Sequence, residues 1–155
     1  MGGTQSYPSR TKDSDGVDFS TGSVGLGVAM TLFASMVQDY TRLNEAVNKP
    51  LAKVNKPGRM IAVMGDAELD EGNIYEAMLE GWKYDVRNLW WIIDYNRQSL
   101  DGVVSDGLFR KIQDFFANVG WNVVPLKYGK KLEKVFALQG GCLLYTSPSP
   151  RDRVQ

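Results

Sequence analysis

Two short apolar runs, Met60-Ile61-Ala62-Val63-Met64 and Leu89-Trp90-Trp91-Ile92-Ile93, flank one helix-length segment, and each ends in oxygen-bearing residues. The first gives way to Gly65-Asp66-Ala67-Glu68, the second to Asp94-Tyr95-Asn96-Arg97-Gln98. The second run shows no polar alternation, as expected of a strand covered on both faces. A strand, helix, strand order with short links implies parallel pairing through a right-handed crossover. Both strand ends then emerge at one sheet edge, where open α/β sheets bind ligands. Asp66 and Asn96, thirty positions apart, bring a carboxylate and a carboxamide to that edge. Such a small set of hard oxygen donors suits magnesium carrying a phosphate.

The neighbouring segments extend the pattern. Residues 1 to 18 are polar and aperiodic, an irregular lead-in. From Ser23 a Gly/Ser turn opens a helix running to about Leu43, with Leu26, Met30, Phe33, Val37 and Tyr40 at three- and four-residue steps. Asn48-Lys49-Pro50 and Lys56-Pro57-Gly58 are breakers bounding a surface connection, after which Arg59 to Met64 forms the first strand. Glu71 to Asp85 reads as a helix with Ile74, Ala77, Met78 and Trp82 on one face and acidic residues at its start. After an Asp101-Gly102 turn, Phe109, Ile112, Phe115 and Phe116 mark a third helix, Trp121 to Leu126 a third strand, and Lys130 to Leu138 the beginning of another helix. The fold class is α/β: an open parallel sheet with helices on both faces.

Composition narrows the chemistry. Lysine and arginine balance aspartate and glutamate at eighteen each, leaving no long-range field to draw nucleic acid or an anionic membrane. No stretch approaches the roughly 20 apolar residues of a membrane helix and no signal peptide is evident, so a cytoplasmic protein is expected. A single cysteine, Cys142, excludes an internal disulfide framework, and the chain lacks histidine, the usual acid/base at neutral pH. Trp82, Trp90, Trp91 and Trp121 fall where core packing is expected rather than a base-stacking platform. Lys127, Lys130, Lys131 and Lys134 read as a solvated face.

Glycine before Asp66 lets the backbone turn sharply beside a ligand, and the turn leads toward helix-start N–H groups that favour phosphate oxygens. An aspartate after a strand also commonly caps the next helix, and an asparagine in a loop commonly bonds its own backbone. Both readings stand at this point.

Gly65-Asp66-Ala67-Glu68, Asn96 and Gln98 together resemble the cofactor motif of the thiamine diphosphate-dependent transketolase and 2-oxoacid dehydrogenase superfamily. Phe19-Ser20-Thr21-Gly22-Ser23-Val24-Gly25-Leu26-Gly27, Asp70-Glu71, Ser99-Leu100-Asp101-Gly102-Val103-Val104 and Val119-Gly120-Trp121-Asn122-Val123-Val124 look most like the homodimeric decarboxylating component of bacterial pyruvate dehydrogenase. The resemblance implies the diphosphate-binding domain of the thiamine diphosphate-binding fold, incomplete in this chain. It implies that Asp66, the Asn96 side chain and the Gln98 main-chain carbonyl hold magnesium. Gly65, Ala67 and Glu68 would line the diphosphate end, with Val24 and Leu100 near the cofactor rings. One departure is Ala67, where the motif usually has glycine; the methyl group tightens the loop.

The implied activity is decarboxylation of a 2-oxo acid, with pyruvate expected, and transfer of the acyl group to a lipoyl-bearing acyltransferase component by a homodimer. The chemistry belongs to the cofactor, and the catalytic glutamate and histidines of the family fall outside this chain. Two alternatives remain: a transketolase moving two-carbon units between sugar phosphates, and a non-catalytic α/β binding module. The resemblance covers residues 4 to 138. Cys142-Leu143-Leu144-Tyr145-Thr146-Ser147-Pro148-Ser149-Pro150-Arg151-Asp152 follows no period and resembles a translated sequencing adapter. Residues 1–141 are therefore expected to be the partial domain and 142–155 a non-native tail.

Overall fold

The two apolar runs pair in parallel as β1 (Met60–Gly65) and β2 (Leu89–Asp94). They do so in a computed structural model that describes residues 7, 9–13, 16, 18–44, 58–99, 102–103, 107–126 and 129–139. Register runs from Met60 beside Leu89 to Gly65 beside Asp94, and the Met60 N–H donates to the Asn88 carbonyl at 2.9 Å. The helix between them, α2 (Gly72–Lys83), is preceded by a 3-10 turn over Asp66–Asp70. Gln98–Ser99 (β3) and Gly102–Val103 (β4) then form a short antiparallel hairpin. Helix α3 follows at Leu108–Asn118, and α1 at Leu26–Leu43 comes before the sheet. The chain divides into two units, Met1–Asn122 and Val123–Gln155, and these elements all belong to the first. Among its described residues the second carries a short helix, α4 (Lys130–Phe136), with Lys130, Lys131 and Lys134 exposed.

One face of the sheet carries the core. Ala62 and Met64 on β1 pack with Val28 of α1, Leu69 of the 3-10 turn, Ile74 and Met78 of α2 and Phe116 of α3, against half-buried Trp91 and Ile93. A continuing cluster joins Ala29 and Leu32 of α1 to Ala77 and Leu89. Polar tethers fix the indoles where burial alone would let them slide. The Trp91 Nε1–H donates to Thr31 Oγ1 at 3.2 Å, and the Trp121 Nε1–H to the Met78 carbonyl at 3.1 Å. The rings of Trp91, Phe116 and Trp121 lie 4.6 to 6.2 Å apart by centroid.

Several expectations are corrected here. The α/β class with its parallel sheet stands as expected, while among the described residues the sheet face of Ile61, Val63, Trp90 and Ile92 is exposed. An unbroken apolar run shows that both faces are apolar, not that both are covered. The Arg59 guanidinium lies 4.0 Å from the ring centre of exposed Trp90, and Trp82 is also exposed, so these two tryptophans are not core. The stripe Leu26, Met30, Phe33, Val37 and Tyr40 faces outward, while α1 buries Val28, Ala29, Thr31, Leu32 and Ser35. Gly81 of α2 leaves the room that the inward Leu32 takes: a Cβ there would meet side-chain atoms of Leu32 and Trp121 at 3.0 Å.

Residues 121–126 form no strand. Trp121 is held by its ring contacts and its bond to Met78, and Pro125 lacks the N–H a ladder needs. The connection over 48–57 and the tail 142–155 lie outside the described residues.

Ile74 is fully buried and Val63 is 71% exposed. Ile74→Ala should therefore cost about 2–5 kcal/mol by lost burial and a residual cavity, whereas Val63→Thr should fall within about 0.5 kcal/mol. Urea unfolding monitored by circular dichroism measures both.

Candidate functional site at the carboxyl ends of the paired strands

Level pairing of Gly65 with Asp94 sends the chain out of both strands at the same edge. From β1 it enters the 3-10 turn at once, so Asp66 is its first residue and Gly65 its N-cap. Asp66 is 4% exposed. Its Oδ2 accepts the N–H of Arg97, beyond β2, at 2.9 Å. Its Oδ1 is buried and has no hydrogen-bond partner among the described residues. The carboxylate thus spans the two strand ends, tied through one oxygen and open through the other. It does not cap its own helix, so the capping alternative raised by the sequence does not describe it.

The loop after β2 is shaped to make that tie. Asn96 returns its N–H to the Asp94 carbonyl at 3.1 Å, and Arg97 adopts a left-handed backbone with φ of 62°. For a residue with a Cβ that conformation costs about 1–2 kcal/mol, and here it accompanies the Arg97 N–H aimed at Asp66. Asn96 is exposed at the same loop, one position before the tethering amide. Gln98 begins β3, which packs against the 3-10 turn, so the segment expected to be irregular is a short strand from that residue onward. Leu100 lies outside the described residues.

On the other side of the turn, Glu68 is occupied twice. Its Oε1 accepts the Gly65 N–H at 3.3 Å and its Oε2 the Gly25 N–H at 3.2 Å. Gly25 precedes α1 with φ of 79°, and a Cβ there would lie 2.7 Å from Asn73 Oδ1 and 2.8 Å from the Glu71 Cβ. Only glycine fits that approach. Val24, just before it, is 55% exposed, and Ala67 is half-buried on the turn. Near the start of α2, the Tyr75 phenol is pushed upward by burial and then by the charge of Asp70, which keeps it a neutral hydroxyl.

The structure therefore brings Gly65, Asp66, Ala67, Glu68 and the Asn96–Gln98 loop to one edge, with Val24 adjoining through Gly25. Sequence reasoning missed the Arg97 N–H, the double role of Glu68 and the buried Asn73 Oδ1, which also has no partner among the described residues. Backbone donors leave no sequence signal. A groove of about 420 Å³ between α1 and α2 is lined by Leu26, Phe33, Asn73 and Glu76 among others, but by none of the expected ligands.

Magnesium fits the edge on physical grounds. A buried oxygen left unsatisfied costs about 1–3 kcal/mol, and a hard cation satisfies an anionic one most strongly. Among the described residues no three carboxylate, cysteine or histidine side chains cluster. A cation here would thus complete its shell with neutral protein oxygens and with oxygens of its ligand.

Residues 3–139 match the thiamine diphosphate binding domain of transketolase. The pyruvate dehydrogenase E1 component of Cupriavidus necator is 29% identical over 137 residues, covering 87% of this chain and 15% of its own length. A transketolase of Mycoplasma pneumoniae is 33% identical over 106 residues, covering 68% of the chain and 16% of its own length. The pyruvate dehydrogenase E1 component of Mycobacterium tuberculosis is 29% identical over 136 residues, 84% of the chain and 14% of its own length. The chain spans well under half of each of these relatives.

Proline at position 97 can neither donate the N–H nor take a positive φ. Arg97→Pro should cost about 3 kcal/mol or more, and Arg97→Gly, which keeps the donor and accepts the conformation, far less. Comparative thermal unfolding checks this.

Proposed function

The chain belongs to the thiamine diphosphate binding domain family of transketolase, and on that premise we propose that it holds magnesium and the cofactor diphosphate in an enzyme that decarboxylates a 2-oxo acid, with pyruvate the expected substrate. The observation that carries this reading is the half-tied Asp66 carboxylate, buried at the strand ends with one oxygen unpartnered. Asp66 would supply the anionic ligand, Asn96 a neutral side-chain oxygen and Gln98 its main-chain carbonyl. Bound there, thiamine diphosphate supplies an electron sink for the bond that releases carbon dioxide.

The chain's own residues position rather than react. Burial of Asp66 strengthens its attraction for a cation by excluding water, and the Arg97 N–H fixes which oxygen faces the site. Gly65 and Ala67 keep the turn small where the diphosphate would lie, and exposed Val24 would offer an apolar contact to the cofactor rings, with Leu100 in the same role. The acyl group would pass to a lipoyl-bearing partner, and the active unit would be a homodimer.

Similarity to E1 components over 87% of the chain supports the dehydrogenase reading. Similarity to a transketolase supports a second one, transfer of two-carbon ketol units between sugar phosphates. Among the described residues no helix is long and apolar enough to cross a membrane.

Titration calorimetry of the complete protein with magnesium and thiamine diphosphate should show affinity falling by more than about 100-fold in Asp66→Ala, beyond what outer-shell changes cause. Unchanged binding would remove the metal role. In a coupled assay, pyruvate and a lipoyl domain should yield acetyl-lipoyl product; ketol transfer from a sugar phosphate without acetyl transfer would select the second reading.

A further inference from the structure

Glu68 stands between two segments distant in sequence and gives one carboxylate oxygen to a backbone N–H of each, Gly65 at 3.3 Å and Gly25 at 3.2 Å. We infer that Glu68 is a positioning residue, joining the start of α1 to the Gly65-Asp66 turn, and that it does not itself contact the diphosphate. The inference rests on the cofactor reading above and changes what Glu68 does within it.

Neither amide has a substitute partner in the secondary structure. The first N–H groups of a helix have no intrahelical acceptor, and Gly25 is the N-cap of α1. Strand N–H groups alternate sides, and Met60 donates toward β2, so the N–H of Gly65, five residues on, points to the opposite edge. Helix α1 has no acidic residue in its own first turn. Glu68 supplies the negative charge that its positive end favours.

The consequence is geometric. Val24 adjoins Gly25, and Asp66 adjoins Gly65, so one carboxylate sets the spacing between the apolar contact and the metal-ligating turn. The close approach of Gly25 to Asn73 and Glu71 leaves no slack on the other side.

Hydrogen exchange of the complete protein, free of metal and cofactor and read by mass spectrometry on peptides spanning Gly25 and Gly65, tests the tether directly. Both amides should be protected in the wild type, and Glu68→Gln, which retains one acceptor oxygen and adds a donor, should speed exchange at both by about tenfold. The control Glu76→Gln, the same charge change on an exposed residue of α2, should alter neither. In Glu68→Gln the half-saturating cofactor concentration should rise about tenfold while turnover at saturating cofactor is retained; a loss of turnover at unchanged affinity would overturn the positioning role. Weaker cofactor binding with exchange unchanged would also overturn it, by showing direct contact. Should Glu68→Gln fail to fold, the wild type still decides, because unprotected amides at Gly25 or Gly65 refute the tether. If the wild type binds no magnesium or thiamine diphosphate, coupled exchange would uphold the tether and remove the cofactor reading alone.

Discussion

Parallel pairing of β1 with β2, in the one register that levels Gly65 with Asp94, is the constraint on which the site depends. A slip of β2 by one residue would turn Trp91 and Ile93 outward and bring Trp90 and Ile92 into the core. It would also carry the Arg97 N–H past Asp66 by about 3.3 Å, beyond hydrogen-bonding reach. Since both strand faces are apolar, hydrophobic pattern alone specifies the register weakly. Polar bonds supply what the pattern lacks. Thr31 receives the Trp91 indole, and the Ser35 hydroxyl donates to Asn88 Oδ1 at 2.5 Å just before β2. Helix α1 thereby measures the position of β2 along its axis.

Asp66 and Glu68, two residues apart on one turn, show how identical chemistry is assigned different work by surroundings. Glu68 has both oxygens engaged by backbone amides and joins pieces of the framework. Asp66 has one oxygen engaged and one buried without a partner. A satisfied carboxylate contributes to the fold. An incompletely satisfied one offers binding, provided its orientation is fixed, and the left-handed Arg97 provides that orientation.

Much of this was legible in the sequence, for reasons that also explain the rest. Strand ends follow from chain order and apolar run length, so Gly65, Asp66 and Asn96 could be placed at one edge from the sequence alone. Periodicity identified α1, α2 and α3 because side chains repeat with the helix, but it does not say which apolar stripe is covered. Leu26, Met30 and Phe33 are exposed while Ala29, Thr31, Leu32 and Ser35 are buried, and Gly81 of α2 leaves the space that the Leu32 side chain takes. Trp121 looked like a strand opening and is an aromatic plug, since its indole finds the Met78 carbonyl. The Arg97 tether was invisible because any residue but proline carries the same N–H.

On the metal role proposed for it, the orphaned oxygen of Asp66 also links folding to the chemical environment. A group that is desolvated only in the folded state lowers the stability of the empty protein, and a cation that satisfies it binds the folded form alone. Stability then rises with the logarithm of cation concentration once the dissociation constant is passed, by about 2.7 kcal/mol at a hundredfold excess. A domain of ordinary marginal stability would register that gain as a longer lifetime against proteolysis. Its persistence in a cell would thus report the supply of its ligand before any turnover occurs.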